Sequence, residues 1–85
     1  MPSRGQIEAR KKRIMRMREY AEELSKTNPV IDKKMFFVDL EIEFGVREAR
    51  LEEYFQLWVA KGVFEETTNH DTQYLTPETF KVNEE

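Results

Sequence analysis

Cysteine is absent from the 85 residues, and histidine occurs once, as His70. Without cysteine, the chain can form neither a disulfide nor a thiolate metal site. One histidine cannot build a zinc site alone, and catalysis by a nucleophile and a histidine would depend on His70. The three glycines are scattered, so there is no glycine-rich loop to hold a phosphate. We therefore predict a protein that is not an enzyme and needs no cofactor or metal.

Long apolar runs are also missing. No stretch reaches the length needed to span a bilayer, and the N-terminus lacks the apolar segment of a secretory signal. These absences predict a cytoplasmic, intracellular protein without a membrane partner. The apolar fraction is 39% and the charged fraction 36%, but six Phe, three Tyr and one Trp provide material for a core. The sequence therefore predicts one small domain with a highly charged surface.

The net charge of −3 hides an uneven distribution along the chain. Residues 1–18 contain seven basic side chains and one acidic side chain, whereas the remainder is strongly acidic. Such asymmetry indicates a basic segment that meets an anionic partner. The partner could be a nucleic acid, or the acidic part of this chain or of a neighbouring copy.

Two helices are predicted in the first half of the chain. The first covers residues 3–27, since Ser3 and Gln6 have the spacing of a capping box and the chain must leave helical geometry before Pro29. The second covers residues 33–44, with Asp32 as N-cap and a glycine, Gly45, directly after it. The predicted core positions of these helices are Ile7, Ile14, Met17, Ala21 and Leu24 in the first, and Phe36, Phe37, Leu40 and Phe44 in the second.

A third helix and a hairpin are predicted in the second half. The helix covers residues 46–61, and its core-facing stripe contains Leu51, Phe55 and Trp58. The period then changes, which indicates a strand from Val63, a polar turn around residues 68–71 and a returning strand over 72–76. Residues 78–85 are expected to form a polar tail, from which Phe80 or Val82 could dock back. The predicted fold class is mainly α with a small β-hairpin.

The order helix, helix, glycine turn, helix, hairpin is that of a winged helix-turn-helix domain. The similarity to this class of domain includes particular residues as well as the order of the elements. The segments that resemble winged-helix transcription regulators are Gly45-Val46, the apolar series Leu51, Phe55 and Trp58, the run Lys61-Gly62-Val63-Phe64-Glu65-Glu66, and Tyr74-Leu75-Thr76-Pro77-Glu78. The resemblance covers about residues 33–78. It implies three helices plus a wing formed by residues 63–76.

The resemblance also implies a mode of DNA binding, in which the third helix enters the major groove and the wing approaches the adjacent backbone. The groove-facing positions would be Glu48, Ala49, Glu52, Glu53 and Gln56, and the basic first helix would contact phosphates. The predicted DNA-binding residues are Arg10, Lys11, Lys12, Arg13, Arg16, Lys33, Lys34, Arg47, Ala49, Arg50 and Gln56. The expected function is that of a small, homodimeric transcriptional regulator that binds double-stranded DNA.

Two further interpretations remain open. The third helix has several glutamates on its outer side, so the domain could instead be a protein–protein interaction module that meets a basic protein partner. Independently of that choice, Arg47 and Arg50 could pair with Glu43, Glu53 or other nearby carboxylates instead of contacting phosphates. Tyr54, Leu57 and Val59 widen the apolar face of the third helix, which indicates either packing against the first helix or tail, or the surface of a homodimer.

Overall fold

The computed structural model describes residues 4–67 and 79–83; of Arg4, only the backbone is described. In these residues the chain forms three helices and a three-stranded antiparallel sheet with strand order β1-β3-β2. The elements are α1 (Arg4–Ser25), β1 (Ile31–Asp32), α2 (Lys33–Phe44), α3 (Glu48–Ala60), β2 (Phe64–Thr67) and β3 (Thr79–Val82). The mainly helical class predicted from sequence is therefore confirmed.

The bounds of α2 follow from its two caps. The side chain of Asp32 accepts a hydrogen bond from the backbone N–H of Met35 at 3.1 Å, which satisfies one of the free amides of the first turn. Gly45 ends the helix with a φ of 69°, and its N–H donates to the carbonyl of Glu41 at 2.8 Å. A left-handed residue at this position favours glycine because other side chains clash there.

The end of α3 directs the chain into the sheet. Gly62, with a φ of 77°, follows the helix, and the N–H of Val63 donates to the carbonyl of Trp58 at 2.9 Å. This bond spans five residues, as in a Schellman motif, and it satisfies a carbonyl of the last turn. The chain then continues directly into β2.

The core lies between the helices and the sheet, and its centre is a cluster of aromatic rings. The buried apolar side chains are Met17, Ala21, Ile31, Phe36, Phe37, Leu40, Leu51, Tyr54, Phe55, Trp58, Val63, Phe64 and Phe80. Phe80, on β3, has its ring centroid 4.9–5.1 Å from those of Phe36, Phe55 and Phe64. One strand thus connects the apolar faces of α2, α3 and β2.

The position of β3 differs from the sequence-based expectation. The sequence predicts a polar tail over residues 78–85, whereas Thr79–Val82 forms a strand that pairs with both other strands. The expected docking of Phe80 is confirmed, since its side chain is fully buried opposite Ile31. The returning strand predicted at 72–76 lies outside the described residues. Strand β1 is not predicted, since two residues carry no recognisable alternation.

The first turns of α1 extend beyond the core. The sequence predicts Ile7 as a core residue, but its side chain is 51% exposed, and the contacts of α1 with the core begin at Ile14. Residues 4–12 therefore form a helical projection of roughly 12 Å at the usual rise per residue. The apolar period continues into this projection, but no element of the described chain lies beneath it. Among the described residues, none of the helices has the length and apolar character required to cross a bilayer.

Candidate functional site

Three basic side chains of the α1 projection are available to a partner. Arg10, Lys11 and Lys12 are exposed, and they form no ion pair or hydrogen bond with the described side chains. All three are among the predicted DNA-binding residues. Consecutive positions on a helix point in directions about 100° apart, so their charges are spread around the projection rather than gathered on one face.

Arg13 lies where α1 meets α3. Its Nε donates to the hydroxyl of Tyr54 at 3.3 Å, and Tyr54 is fully buried. Tyr54 therefore packs against the first helix, whereas Leu57 of the same predicted apolar face is 42% exposed. The indole Nε1 of Trp58, one turn further along α3, donates to the carbonyl of Ile14, the next residue of α1, at 2.9 Å. These two hydrogen bonds fix the position of α1 against α3.

Two further arginines of α1, Arg16 and Arg18, point toward carboxylates of the domain. Nε of Arg16 lies 3.2 Å from Oε1 of Glu43 on α2, and this hydrogen bond raises the pKa of the guanidinium above its usual value. Nε of Arg18 lies 2.7 Å from Oε1 of Glu22, and its guanidinium stacks over the ring of Trp58. Arg16 is predicted to contact DNA, but the structure places it in an intramolecular ion pair between α1 and α2.

Lys33 is the centre of a polar cluster that joins α2, α3 and β2. Its side chain is only 12% exposed, and Nζ lies 3.0 Å from Oε2 of Glu52 and 3.2 Å from Oε1 of Glu66. The ammonium also lies 4.7 Å from the ring centroid of Phe55. Nε2 of Gln56 donates to the same two carboxylates, at 2.9 Å and 3.2 Å. We call Lys33, Glu52, Gln56 and Glu66 the Lys33 cluster.

The Lys33 cluster changes the interpretation of two predicted DNA contacts. The sequence predicts Lys33 at a phosphate and Gln56 at a base edge, but each is held by two carboxylates within the domain. The sequence shows Lys33 at a helix start and Glu52 on the expected groove-facing side. It gives no sign that Glu66, 33 residues from Lys33, completes the cluster.

The outer side of α3 is acidic. Ala49, Arg50 and Glu53 are exposed, and Nη1 of Arg50 lies 3.5 Å from Oε2 of Glu53, in agreement with the alternative interpretation of Arg50. Glu48 is exposed in the first turn, where its negative charge interacts favourably with the helix dipole. Arg47 precedes the helix as its N-cap residue, and its exposed side chain forms no ion pair with the described residues.

The outer side of α2 has a feature that the sequence analysis did not identify. Met35, Val38 and Ile42 are 59%, 39% and 79% exposed. Their spacing of three and four residues places them on one side of the helix, opposite the buried Phe36 and Leu40. The spacing itself was the available signal. It was obscured because the helix has apolar residues on both sides.

Metal binding finds no support in the described part of the chain, where no three acidic or histidine side chains are grouped in a suitable arrangement. In comparisons with protein-family models, curated proteins and solved structures, nothing matched this chain. Function must therefore be inferred from the charges and surfaces described above.

Proposed function

We propose that this protein is a winged-helix domain that binds double-stranded DNA mainly through phosphate contacts from the projecting part of α1. The order of elements supports the winged-helix assignment: α2 and α3 are joined by a glycine turn, and β2 and β3 form an antiparallel pair after α3. In this arrangement α2 and α3 are the helix-turn-helix, and β2 and β3 are the strands of the wing.

The observation that carries the proposal is the set of unneutralised cations on the projection. Arg10, Lys11 and Lys12 are exposed and free of carboxylate partners among the described residues, whereas Arg16, Arg18, Lys33 and Arg50 are paired. Cations without intramolecular partners attract phosphates without first breaking an ion pair. They release counterions from DNA, so the resulting affinity falls steeply with salt. Arg47 adds a further free cation at the start of α3.

The Lys33 cluster limits which DNA bases the side chains of α3 can recognise. Gln56 is hydrogen-bonded to two carboxylates, so a contact with adenine would require it to leave both. Glu48 and Glu53 oppose close approach of α3 to phosphates, while Ala49 offers only a methyl contact to thymine. The proposed mode is therefore phosphate-anchored binding with little sequence preference.

Fluorescence anisotropy with a labelled mixed-sequence duplex, measured across a salt series, tests the proposal. With four phosphates neutralised, by Arg10, Lys11, Lys12 and Arg47, we expect a log–log slope of about −4. The double variant K11A/K12A should reduce the magnitude of the slope by about 2. The control K26A/K61A makes the same change in net charge at exposed lysines outside the projection, and it should leave the slope nearly unchanged.

Two results would contradict the proposal. Absence of binding at low salt would exclude it for this chain. Equal effects of K11A/K12A and K26A/K61A would show that only net charge matters and that the projection has no special role.

A protein-interaction role is the second candidate, and the acidic outer side of α3 favours it. Glu48 and Glu53 are exposed there, and Arg50 offsets only part of their charge. Poly-L-lysine serves as the probe for a basic protein surface. If α3 is the acidic docking face, E48Q/E53Q should weaken binding more than E19Q/E23Q, which removes two exposed carboxylates from α1. Equal weakening by the two variants would exclude α3 as the docking face.

A further inference from the structure

Helix α2 is apolar on two opposite sides, and the described residues cover one of them. Phe36, Phe37 and Leu40 are buried in the core, while Met35 and Ile42 are more than half exposed on the other side. A helix that is apolar all round is normally buried all round. The exposed residues are also adjacent to one another, so they form a stripe rather than scattered single side chains.

The charges beside this stripe have a definite order along the helix. Lys34 lies in the first turn of α2, and Glu41 lies seven residues later, which is almost two full turns. Both therefore flank the stripe along the same edge, with the basic residue at one end and the acidic residue at the other. Lys34 is exposed and has no ion pair with the described side chains.

We propose that the outer face of α2 binds the same face of a second copy of this chain, with the two helices antiparallel about a two-fold axis near Val38. The edge that carries Lys34 and Glu41 is self-complementary about that point, and on the opposite edge Asp39 and Glu43 are bound within the chain by Tyr20 and Arg16. Rotation brings Met35 of one copy against Ile42 of the other, and Lys34 against Glu41. Each of these contacts occurs twice, as an isologous interface requires. The dipoles of the two helices also run in opposite directions, which is the favourable arrangement.

A second copy fits this surface better than DNA does. The stripe is apolar and is flanked by one basic residue, Lys34, and by the acidic Asp39, Glu41 and Glu43, so it offers no continuous positive surface to a phosphate backbone. The helix face is small compared with the roughly 800 Å² per subunit of a standard interface. We therefore expect a weak dimer, with a dissociation constant in the micromolar range.

Sedimentation equilibrium of the full chain over a range of concentrations tests the proposal. The wild type should dimerise, and I42D should raise the dissociation constant at least about tenfold, because each dimer would bury two unpaired carboxylates. L57D is the matched control, since Leu57 is an exposed apolar side chain, 42% exposed, on α3 rather than α2. It should dimerise like the wild type. Circular dichroism checks that both variants remain folded.

Charge reversal tests the antiparallel arrangement itself. K34E and E41K each create two repulsive contacts in a homodimer, so each alone should dimerise more weakly than the wild type. In a mixture, the introduced glutamate of the K34E chain would meet the introduced lysine of the E41K chain. The other contact would join the unchanged Glu41 of the first chain to the unchanged Lys34 of the second. The mixture should therefore form heterodimers with near wild-type affinity.

Several results would overturn the proposal. A wild-type chain that stays monomeric up to about 1 mM would exclude the dimer, because even a weak micromolar complex is saturated there. Equal dissociation of I42D and L57D would exclude α2 as the interface. Mixed charge variants that associate no better than either alone would exclude the two-fold antiparallel arrangement. None of these readouts depends on DNA binding.

Discussion

The ammonium of Lys33 lies 3.0 Å from a carboxylate oxygen of Glu52, which brings the first turn of α2 against the middle of α3. The lysine is mostly buried, whereas Glu52 is 42% exposed, so the pair is intermediate between a surface and a buried ion pair. Glu66 adds a second carboxylate from β2. One cation thus balances two anions at the place where three elements meet.

Replacement of Lys33 by methionine should therefore destabilise the domain. The variant keeps most of the apolar contact with Phe55 but leaves the carboxylates of Glu52 and Glu66 close together without a cation. We expect a loss of about 1–3 kcal/mol, between the values for exposed and buried pairs. Urea unfolding followed by circular dichroism gives the free energy. K26M changes an exposed lysine outside the cluster and should cost less than about 0.5 kcal/mol; equal losses would mean that the cluster contributes nothing.

Phe80 should be essential to the fold, although it lies in a segment that looks like a polar tail. Its ring is fully buried against three other aromatic rings. F80A should cost about 3–5 kcal/mol, which is a large part of the stability of a small domain. Thermal unfolding of F80A and K81A provides the comparison, since Lys81 is exposed and pairs with Glu65 at the surface. A melting temperature of F80A close to that of K81A would contradict the assigned position of β3.

The sequence predicted those features of the fold that depend on residues close together in the chain. Asp32 and Gly45 gave the bounds of α2, because a cap acts within one turn of the helix. The partners of Phe80 and Lys33 were not predictable in the same way. Phe80 pairs with Ile31, and Lys33 meets Glu66, across long separations in the chain. Such contacts depend on how the elements pack, which a pattern of residues does not specify.

In the candidate site, too, the sequence predicted local features but not the contacts between distant parts of the chain. The sequence identified the basic first helix, and three of its cations are indeed exposed and unpaired among the described residues. It could not separate these from Arg16, whose partner Glu43 is supplied by another helix. The exposed stripe of α2 was missed because the sequence shows two apolar sides without showing which one the core covers.

Gly45 should be sensitive to substitution although no atom crowds it. Its φ of 69° is unfavourable for residues with a Cβ, and a Cβ built there meets nothing within 4 Å. The cost of G45A should therefore be backbone strain alone, about 1 kcal/mol. Gly5 lies within α1, also in open space, and G5A should have the opposite sign because alanine favours helix by up to about 1 kcal/mol. Denaturant unfolding of both variants gives the change in the free energy of unfolding for each. Destabilisation by both substitutions would contradict this explanation.

Tyr20 should make the stability fall in alkaline solution. Its hydroxyl donates to Oδ2 of Asp39 at 2.7 Å, and this hydrogen bond, together with burial and the charge of Asp39, raises the pKa of Tyr20 above its usual value of about 10. Arg16 acts in the opposite direction. The folded state thus holds the proton more tightly than the unfolded state. The contribution is fully present below a pH of about 10 and is lost as the pH rises through the raised pKa.

The substitution Y20F isolates this contribution. As the pH rises from about 8 to above about 10, the free energy of unfolding of the wild type should fall more than that of Y20F. Only the wild type must release this proton from a hydrogen bond. Ultraviolet absorbance of the phenolate, taken as the difference between wild type and Y20F, reports the titration of Tyr20 itself. D39N keeps an acceptor but removes the negative charge, so it should lower the pKa of Tyr20 toward about 10. A difference titration centred at or below about pH 10 in the wild type would show that the hydrogen bond to Asp39 does not hold the proton.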